Sequence, residues 1–191
     1  MLLARSNIQP YWRTLLILGR ASNVPTVWSN CLAGWLLGGG GSIGRFLILC
    51  LGATCLYLGG MFLNDAFDAE FDRQHRKERP IPSGDITLGE VWRWGFGWLA
   101  VGTVILVSLG HTTGELAAIL LFWIVLYDAI HKLVAFSPVL MAVCRLFLYF
   151  VAASVAVDGV TGLVIWSAFA LAAYIVGLSY MARREIGRAH V

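Results

Sequence analysis

Four acidic residues lie close together near the middle of the chain: Asp65, Asp68, Glu70 and Asp72. On a helix, spacings of three and four residues place Asp65, Asp68 and Asp72 on one face, one turn apart. Uncompensated carboxylates on one face repel each other, and a divalent cation would relieve that repulsion. Hard carboxylate oxygens, without His or Cys on that face, favour Mg²⁺ over zinc or copper. The pattern therefore predicts that these three aspartates are metal ligands and catalytic residues.

Basic residues follow the acidic cluster directly, and Arg76, Lys77 and Arg79 lie in the same polar segment. Mg²⁺ in proteins usually bridges one or two carboxylates to substrate phosphates. The planar guanidinium of Arg is well shaped to bind phosphate oxygens. The segment therefore predicts a substrate that carries a phosphate or diphosphate. The alternative is that these cations only anchor the segment at a membrane surface and pair with the acids.

The composition indicates what kind of protein holds this cluster. Of the 191 residues, 59% are hydrophobic and 13% are charged, whereas a soluble domain is about half apolar and about a quarter charged. That balance excludes a disordered chain and a nucleic-acid-binding tail, and it indicates a protein embedded in the lipid bilayer. A spanning helix needs about 20 mostly apolar residues. Six segments are candidates: Leu15–Leu37, Phe46–Leu63, Trp92–Leu109, Leu116–Asp128, Val139–Val157 and Leu163–Tyr180.

These segments predict an all-α fold, a polytopic bundle of transmembrane helices in a single domain over residues 1–184. The fourth segment reaches spanning length only if it continues through Asp128 to Leu133. Cationic residues in short loops mark the cytoplasmic side of a membrane protein, and here they flank alternate segments. The bias predicts that both termini and the loop over residues 68–90 are cytoplasmic. We expect a multi-pass protein of a bacterial inner membrane, with its aspartates on the cytoplasmic side.

Two motifs together resemble a known family. The string Asn64-Asp65-x-x-Asp68-x-x-x-Asp72, followed by Arg79-Pro80-Ile81-Pro82-Ser83-Gly84, is similar to the pattern of the UbiA superfamily of intramembrane prenyltransferases. The resemblance implies a ring of helices whose first two thirds match the six segments. The stretch from Asp128 to Tyr149 looks most like the EboC branch of that superfamily.

The resemblance also implies a reaction and its participants. Mg²⁺ held by the three aspartates neutralises the diphosphate of a prenyl diphosphate donor, which makes diphosphate a better leaving group. An aromatic or other lipophilic acceptor then attacks the allylic carbon. An ionisable residue inside a span is costly unless it faces a cavity or a partner, which applies to Arg145. The expected substrate-binding residues are Asn64, Arg20, Asn23, Arg76, Lys77, Arg79, Tyr127, Asp128, His131, Lys132 and Arg145.

The sequence departs from the family pattern near its C-terminal end. The resemblance implies a second aspartate motif after the sixth helix, but residues 178–185 contain a single acid, Glu185. Residues 185–191 look like the translation of a sequencing adapter, so we expect the native sequence to continue differently beyond Arg184. We also expect the 191-residue form itself to be inactive.

Two other functions stay open at this point. The missing second motif and the EboC-like stretch also suit a non-catalytic membrane protein that binds or moves a lipid or pigment precursor. CDP-alcohol phosphotransferases also use membrane-edge aspartates with metal, but the Asp-Gly and Ala-Arg parts of their pattern do not precede this cluster.

Overall fold

The computed structural model describes the backbone of residues 10–189 and the side chains of residues 10–182. Within these residues the chain is helical and contains no β-strand. A short 3-10 turn, Ala21–Asn23, separates the first two helices. The helices are α1 (Tyr11–Leu18), α2 (Val24–Leu37), α3 (Ile43–Phe67), α4 (Ala69–His75), α5 (Pro80–Ser83), α6 (Leu88–Val107), α7 (His111–Ile130), α8 (Ser137–Ser154) and α9 (Gly162–Ala189).

The six predicted spans correspond to α2, α3, α6, α7, α8 and α9, which confirms the all-helical membrane fold. Four described helices are long and apolar enough to cross a membrane: α3, α7, α8 and residues Gly162–Ala182 of α9. The helix α2 has 14 residues. The helix α6 is long enough, but Glu90, Arg93 and several Trp and Gly residues reduce its apolar character.

The prediction of one continuous first span, Leu15–Leu37, is wrong. The chain leaves α1 at Gly19 and turns before α2 begins at Val24. At the turn, Arg20 adopts a left-handed conformation with φ of 43°, which an L-residue with a long side chain rarely takes. Hydropathy did not reveal this break, because apolar residues continue on both sides of it. The fourth span also differs: α7 gains its length at the N-terminal end, from His111, and ends at Ile130.

Small residues let α3 and α6 pack closely along their lengths. A Cβ added to Gly102 would lie 2.8 Å from the carbonyl oxygen of Gly52, and one added to Gly59 would lie 2.9 Å from that of Gly95. Close backbone approach through small residues is the usual way in which transmembrane helices associate. The pair therefore forms a rigid wall that holds the C-terminal end of α3.

The long helices α3, α6, α7 and α8 alternate in direction, so polar residues from different helices meet at one end of the bundle. The helices α3 and α7 end there, and α6 and α8 begin there. At the opposite end, Arg45 donates a hydrogen bond of 2.6 Å to the carbonyl oxygen of Leu109. The end of the bundle at which α3 and α7 end is called the polar end, and it is defined by residues 64–90 and 127–138.

A capping box fixes the start of α6 at the polar end. The backbone N–H of Glu90 donates to Thr87 Oγ1 at 3.3 Å, and that of Thr87 donates to Glu90 Oε2 at 2.9 Å. Reciprocal bonds of this kind satisfy backbone amides that a helix start leaves free. The segment from α4 to α6 is therefore anchored at both ends, by α3 and by this cap.

Candidate functional site

A cavity of about 440 Å³ lies between α2, α3, α7 and α8. Its apolar lining includes Val27, Ala53, Leu56, Leu120 and Leu148. Ala53 lies eleven residues before Asn64 on α3, about 17 Å deeper in the bundle. The end of the cavity near Asn64 and Asp128, which we call its mouth, is therefore polar, and the part around Ala53 is apolar, as an amphipathic ligand requires. Its polar lining consists of Arg20, Asn23, Thr26, Asn64, Asp128 and Arg145.

Asp65 lies beside this mouth, only 4% exposed. Its Oδ1 accepts hydrogen bonds from Arg79 NH1 at 2.9 Å and from Arg20 NH2 at 3.2 Å. Arg79 also lies within 4.0 Å of Asp72 Oδ2. The guanidinium of Arg79 therefore contacts two of the three predicted aspartates.

Asp68 is paired with the two residues that follow α7 rather than with cations of its own segment. Lys132 Nζ lies 2.8 Å and His131 Nε2 lies 3.4 Å from its Oδ1. Burial opposes ionisation of this carboxyl group, but hydrogen bonds and positive charge from His131 and Lys132 outweigh it, so its pKa lies below the usual value. The hydrogen bond to Asp68 in turn raises the pKa of His131. Each group therefore favours the charged form of the other.

The three aspartates do not share one uninterrupted helix, contrary to the predicted geometry. Asp65 lies on α3, Asp68 ends that helix, and Asp72 lies on α4. Backbone hydrogen bonds from Asp68 to Asn64 and from Asp72 to Asp68, of 3.0 and 2.9 Å, keep a helical rise across the junction. All three side chains are therefore buried on the same side, with Asp72 2% exposed.

The remaining basic residues of the segment lie farther out. Arg76 NH1 is 3.9 Å from Asp72 Oδ1, and Lys77 is exposed. The aromatic ring of Phe71 lies against Lys132, with Nζ 3.8 Å from the ring centroid. Of the predicted diphosphate cations, the structure thus brings Arg79, Arg76 and Lys132 to the aspartates and leaves Lys77 at the surface.

Arg20 joins the aspartate cluster to the cavity. Its NH2 group donates to Asn64 Oδ1 at 3.0 Å as well as to Asp65. The hydroxyl of Tyr57 donates to the Arg20 carbonyl oxygen at 3.2 Å and so supports the left-handed turn. Residues held in rare backbone conformations cluster at functional sites. Asn23, from the same turn, also lines the cavity.

The predicted residues of α7 and α8 reach the cavity from the other side. Asn64 Nδ2 donates to Asp128 Oδ1 at 3.3 Å. Tyr127 lines the cavity and stacks on His131, with 5.1 Å between ring centroids. Arg145 lines the cavity and donates to Thr26 Oγ1 at 3.3 Å. Its position fits the expectation that a buried cation in a span faces a cavity.

Three contributors to the site were missed from the sequence. Tyr57, Thr26 and Phe71 each contact a predicted cation, but none carries a charge or belongs to a motif. Only the distances to Arg20, Arg145 and Lys132 reveal them. The predicted non-native tail, residues 185–191, lies outside the residues whose side chains the structure describes.

The donor set fits Mg²⁺ in type. Carboxylate oxygens suit this ion, and it needs only one or two of them besides substrate phosphates and water. Asp65 and Asp72 both contact the guanidinium of Arg79, so they are the two carboxylates that would hold the ion. Among residues 10–182, no three His, Cys, Asp or Glu side chains are arranged to hold an ion alone.

The fold and the site define a helical membrane protein with an acidic and basic cluster beside a cavity that is apolar in depth. The sequence profile of the UbiA prenyltransferase family matches residues 23–188. The chain therefore belongs to this family, as its two motifs predicted.

Curated relatives support this assignment. The chain is 34% identical over 107 residues to a digeranylgeranylglyceryl phosphate synthase of Ignicoccus hospitalis, which covers 56% of this chain and 35% of the relative. It is 29% identical over 118 residues to a protein of the same name from Methanothrix thermoacetophila, covering 61% of this chain and 44% of the relative. The chain thus matches less than half the length of either relative.

Two solved structures share the fold. One, described as a digeranylgeranylglyceryl phosphate synthase in membranes, has a TM-score of 0.74 at 21% identity, covering 87% of this chain and 58% of the other. The other is a UbiA homologue from Aeropyrum pernix K1, with a TM-score of 0.68 at 18% identity, covering 90% and 62%. These likenesses confirm the predicted fold class.

Proposed function

We propose that this protein is a Mg²⁺-dependent intramembrane prenyltransferase. It moves an isoprenyl group from a prenyl diphosphate to an aromatic or other lipophilic acceptor. The observation that carries the proposal is the position of the charged cluster at the mouth of the cavity, joined to it by Arg20. An amphipathic donor needs this combination, because its diphosphate is anionic and its chain is apolar. Family membership supports prenyl transfer as the reaction class.

The protein's own residues provide the following steps. Arg79, Arg76, Lys132 and Arg20 are ion-paired with aspartates and can turn to the diphosphate oxygens when the donor binds. Asp65 and Asp72, with Asp68 beside them, would hold Mg²⁺, which stabilises the charge of the leaving diphosphate when it is bound. The apolar depth of the cavity holds the isoprenyl chain and excludes water from the allylic carbon.

The test uses protein expressed from the complete gene and reconstituted in lipid nanodiscs. Radiolabelled geranylgeranyl diphosphate is supplied with a singly geranylgeranylated glyceryl phosphate or with a hydroxybenzoate. We expect a prenylated product and released diphosphate with Mg²⁺, and neither after chelation with EDTA. Asp65→Asn should lose activity at least about 100-fold, since it removes transition-state charge stabilisation. The matched control Asp158→Asn, outside the polar end, should not.

A second candidate is a non-catalytic protein that binds or moves a lipid or pigment precursor. It is favoured by the ion pairs that each aspartate already makes, which leave the cluster balanced without a metal. In that case the protein would bind the donor in the same assay, yet release no diphosphate with any acceptor.

A further inference from the structure

Asp128 is the one acid among the described residues of the cavity wall, and half of its carboxylate has no protein partner there. The side chain is 2% exposed. Its Oδ1 accepts the bond from Asn64, but its buried Oδ2 has no hydrogen-bond partner among the described residues. A buried polar atom without a partner costs free energy. Such an atom in a ligand cavity indicates that the ligand supplies the missing donor.

No described cation neutralises Asp128, in contrast with the aspartates of the cluster. Arg20 and Arg145 line the same cavity, but their hydrogen bonds go to Asn64, Asp65 and Thr26. His131 contacts only the backbone carbonyl of Asp128, at 3.2 Å. The Asp128 carboxyl group is therefore not held as half of an ion pair.

The nearest residue of α3 on the Oδ2 side is Gly60, which has no side chain. Gly60 lines the cavity there, and a Cβ added to it would lie 3.9 Å from Asp128 Oδ2 and 3.0 Å from Ile124 Cγ2. The contact with Ile124 leaves little spare room here, so an acceptor hydroxyl that reaches Oδ2 must come from the cavity that Asp128 and Gly60 both line. The hydrogen bond from Asn64 to Oδ1 fixes the orientation of the carboxylate.

The group that meets Oδ2 must be a hydrogen-bond donor, because a carboxylate repels the oxygens of a diphosphate. Those oxygens are matched by the cations on the aspartate cluster. The donor group in the cavity therefore belongs to the acceptor. In the proposed transfer, an acceptor hydroxyl must lose its proton as its oxygen bonds to the prenyl carbon, and a positioned carboxylate can take that proton.

We propose that Asp128 is the general base that deprotonates a hydroxyl-bearing acceptor, an inference that rests on the prenyl transfer proposed above. The acceptor oxygen forms a bond to the allylic carbon of the donor. The bond from that carbon to diphosphate breaks, and its electron pair leaves with the diphosphate. The hydroxyl proton passes to Asp128 Oδ2 and then to water when the product leaves.

The experiment compares two acceptors on the same preparation of Asp128→Asn protein from the complete gene. One acceptor is singly geranylgeranylated glyceryl phosphate, and the other is its analogue with a thiol in place of the free hydroxyl. We expect kcat with the hydroxyl acceptor to fall about 10²- to 10⁴-fold. With the thiol, whose pKa is near 8.5, it should stay within about tenfold of the unsubstituted protein.

Three controls accompany this comparison. Donor affinity, measured by displacement of labelled geranylgeranyl diphosphate, should be unchanged in Asp128→Asn. Asp158→Asn makes the same chemical change outside the cavity and should alter neither acceptor's rate. A lower folded fraction reduces the rates with both acceptors equally, so it cancels in the ratio of the two rates. Asp128→Ala provides the same ratio if Asp128→Asn cannot be purified.

The outcomes separate this inference from the function it rests on. A loss of kcat with the hydroxyl acceptor but not with the thiol acceptor supports Asp128 as the base. Equal losses with both acceptors, weakened donor binding, or unchanged rates in an active background overturn the inference and leave prenyl transfer standing. If the unsubstituted protein releases no diphosphate with either acceptor, the proposed function fails and the inference fails with it.

Discussion

Arg79 is the side chain on which the charge balance of the aspartate cluster depends. It lies 2.9 Å from Asp65 Oδ1 and 4.0 Å from Asp72 Oδ2, yet 30% of its side chain stays exposed. A cation that is held by buried carboxylates and is still accessible can exchange partners. When a metal ion takes the carboxylates, we expect the guanidinium to bind diphosphate oxygens, with which it makes bidentate, charge-assisted bonds.

Arg79→Ala should therefore weaken donor binding. A hydrogen bond to a charged group contributes about 1.5–3 kcal/mol, so we expect the KM for geranylgeranyl diphosphate to rise about 10- to 100-fold. The measurement is the initial rate of diphosphate release against donor concentration in nanodiscs.

Arg73→Ala is the matched control on the same segment. Arg73 pairs with Glu70 at 3.0 Å, and both side chains are largely exposed, where ion pairs contribute little. We expect its KM to stay within about twofold of the unsubstituted protein. Similar effects of the two substitutions would show that Arg79 acts only through the general charge of the segment.

For the individual residues of the site, the sequence revealed the residue types but not all of their hydrogen-bond partners. The spacing of Asp65, Asp68 and Asp72 predicted a cluster because its members are close in the chain. The bond between Asn64 and Asp128 joins residues 64 positions apart, and no local pattern encodes such a pairing. It depends on how α3 and α7 pack.

Among the described helices, α3 and α6 share the most extensive contact, and it positions the C-terminal end of α3, which carries Asp65. Gly102 faces Gly52 across this contact, and a Cβ added to Gly102 would lie 2.8 Å from the Gly52 carbonyl oxygen and 2.9 Å from the Leu56 nitrogen. These atoms belong to the backbone and cannot move aside as a flexible side chain would. The separation of the two helices therefore depends on the absence of a side chain at Gly102.

Gly102→Ala should destabilise the protein. Overpacking in a close contact costs about 1–3 kcal/mol, and here α6 must move away from α3 as a whole. Gly97→Ala lies on the same helix, and a Cβ added there would have nothing within 4 Å. This control should be neutral or stabilising by up to about 1 kcal/mol, since Ala is the better helix former.

Unfolding of the two variants in mixed detergent micelles, followed by circular dichroism against denaturing detergent, tests this contrast. If Gly102→Ala is as stable as Gly97→Ala, the close approach of α3 and α6 is not what holds the bundle together. A parallel loss of donor binding in Gly102→Ala alone would link the packing to the site.

Hydropathy predicted the helices well and their interruptions poorly. The apolar segments from residue 46 onward match α3, α6, α7, α8 and α9, because burial in lipid demands long apolar runs. The break at Arg20 depends instead on one left-handed residue and on the Tyr57 bond. Neither changes the apolar character of the segment, so hydropathy could not detect them.

Across the whole molecule, charge is divided unequally between the two ends of the bundle. The end opposite the polar end has Arg45, whose guanidinium is bonded to the Leu109 carbonyl, and the acids Glu115 and Asp158. In membrane proteins, Lys and Arg in short loops stay on the cytoplasmic side. The described cations of the polar-end loops are Arg73, Arg76, Lys77, Arg79 and Lys132.

We therefore expect the polar end, with its aspartate cluster, to face the cytoplasm. Gln74→Cys and Val157→Cys place single thiols at exposed positions of the two ends, in a background where Cys31, Cys50, Cys55 and Cys144 are replaced by Ala. A membrane-impermeant maleimide should label Val157→Cys in intact bacterial spheroplasts and Gln74→Cys only after permeabilisation.

The two labelling sites also test the membrane-spanning arrangement itself. The reverse pattern would place the cluster outside. Labelling of both sites in intact spheroplasts would contradict a spanning arrangement of the helices between them, since α6, α7 and α8 separate the two positions along the chain.

Cytoplasmic placement also matters chemically. A water-soluble diphosphate headgroup and Mg²⁺ must reach the cluster from an aqueous compartment, while the acceptor and the isoprenyl chain enter the apolar cavity.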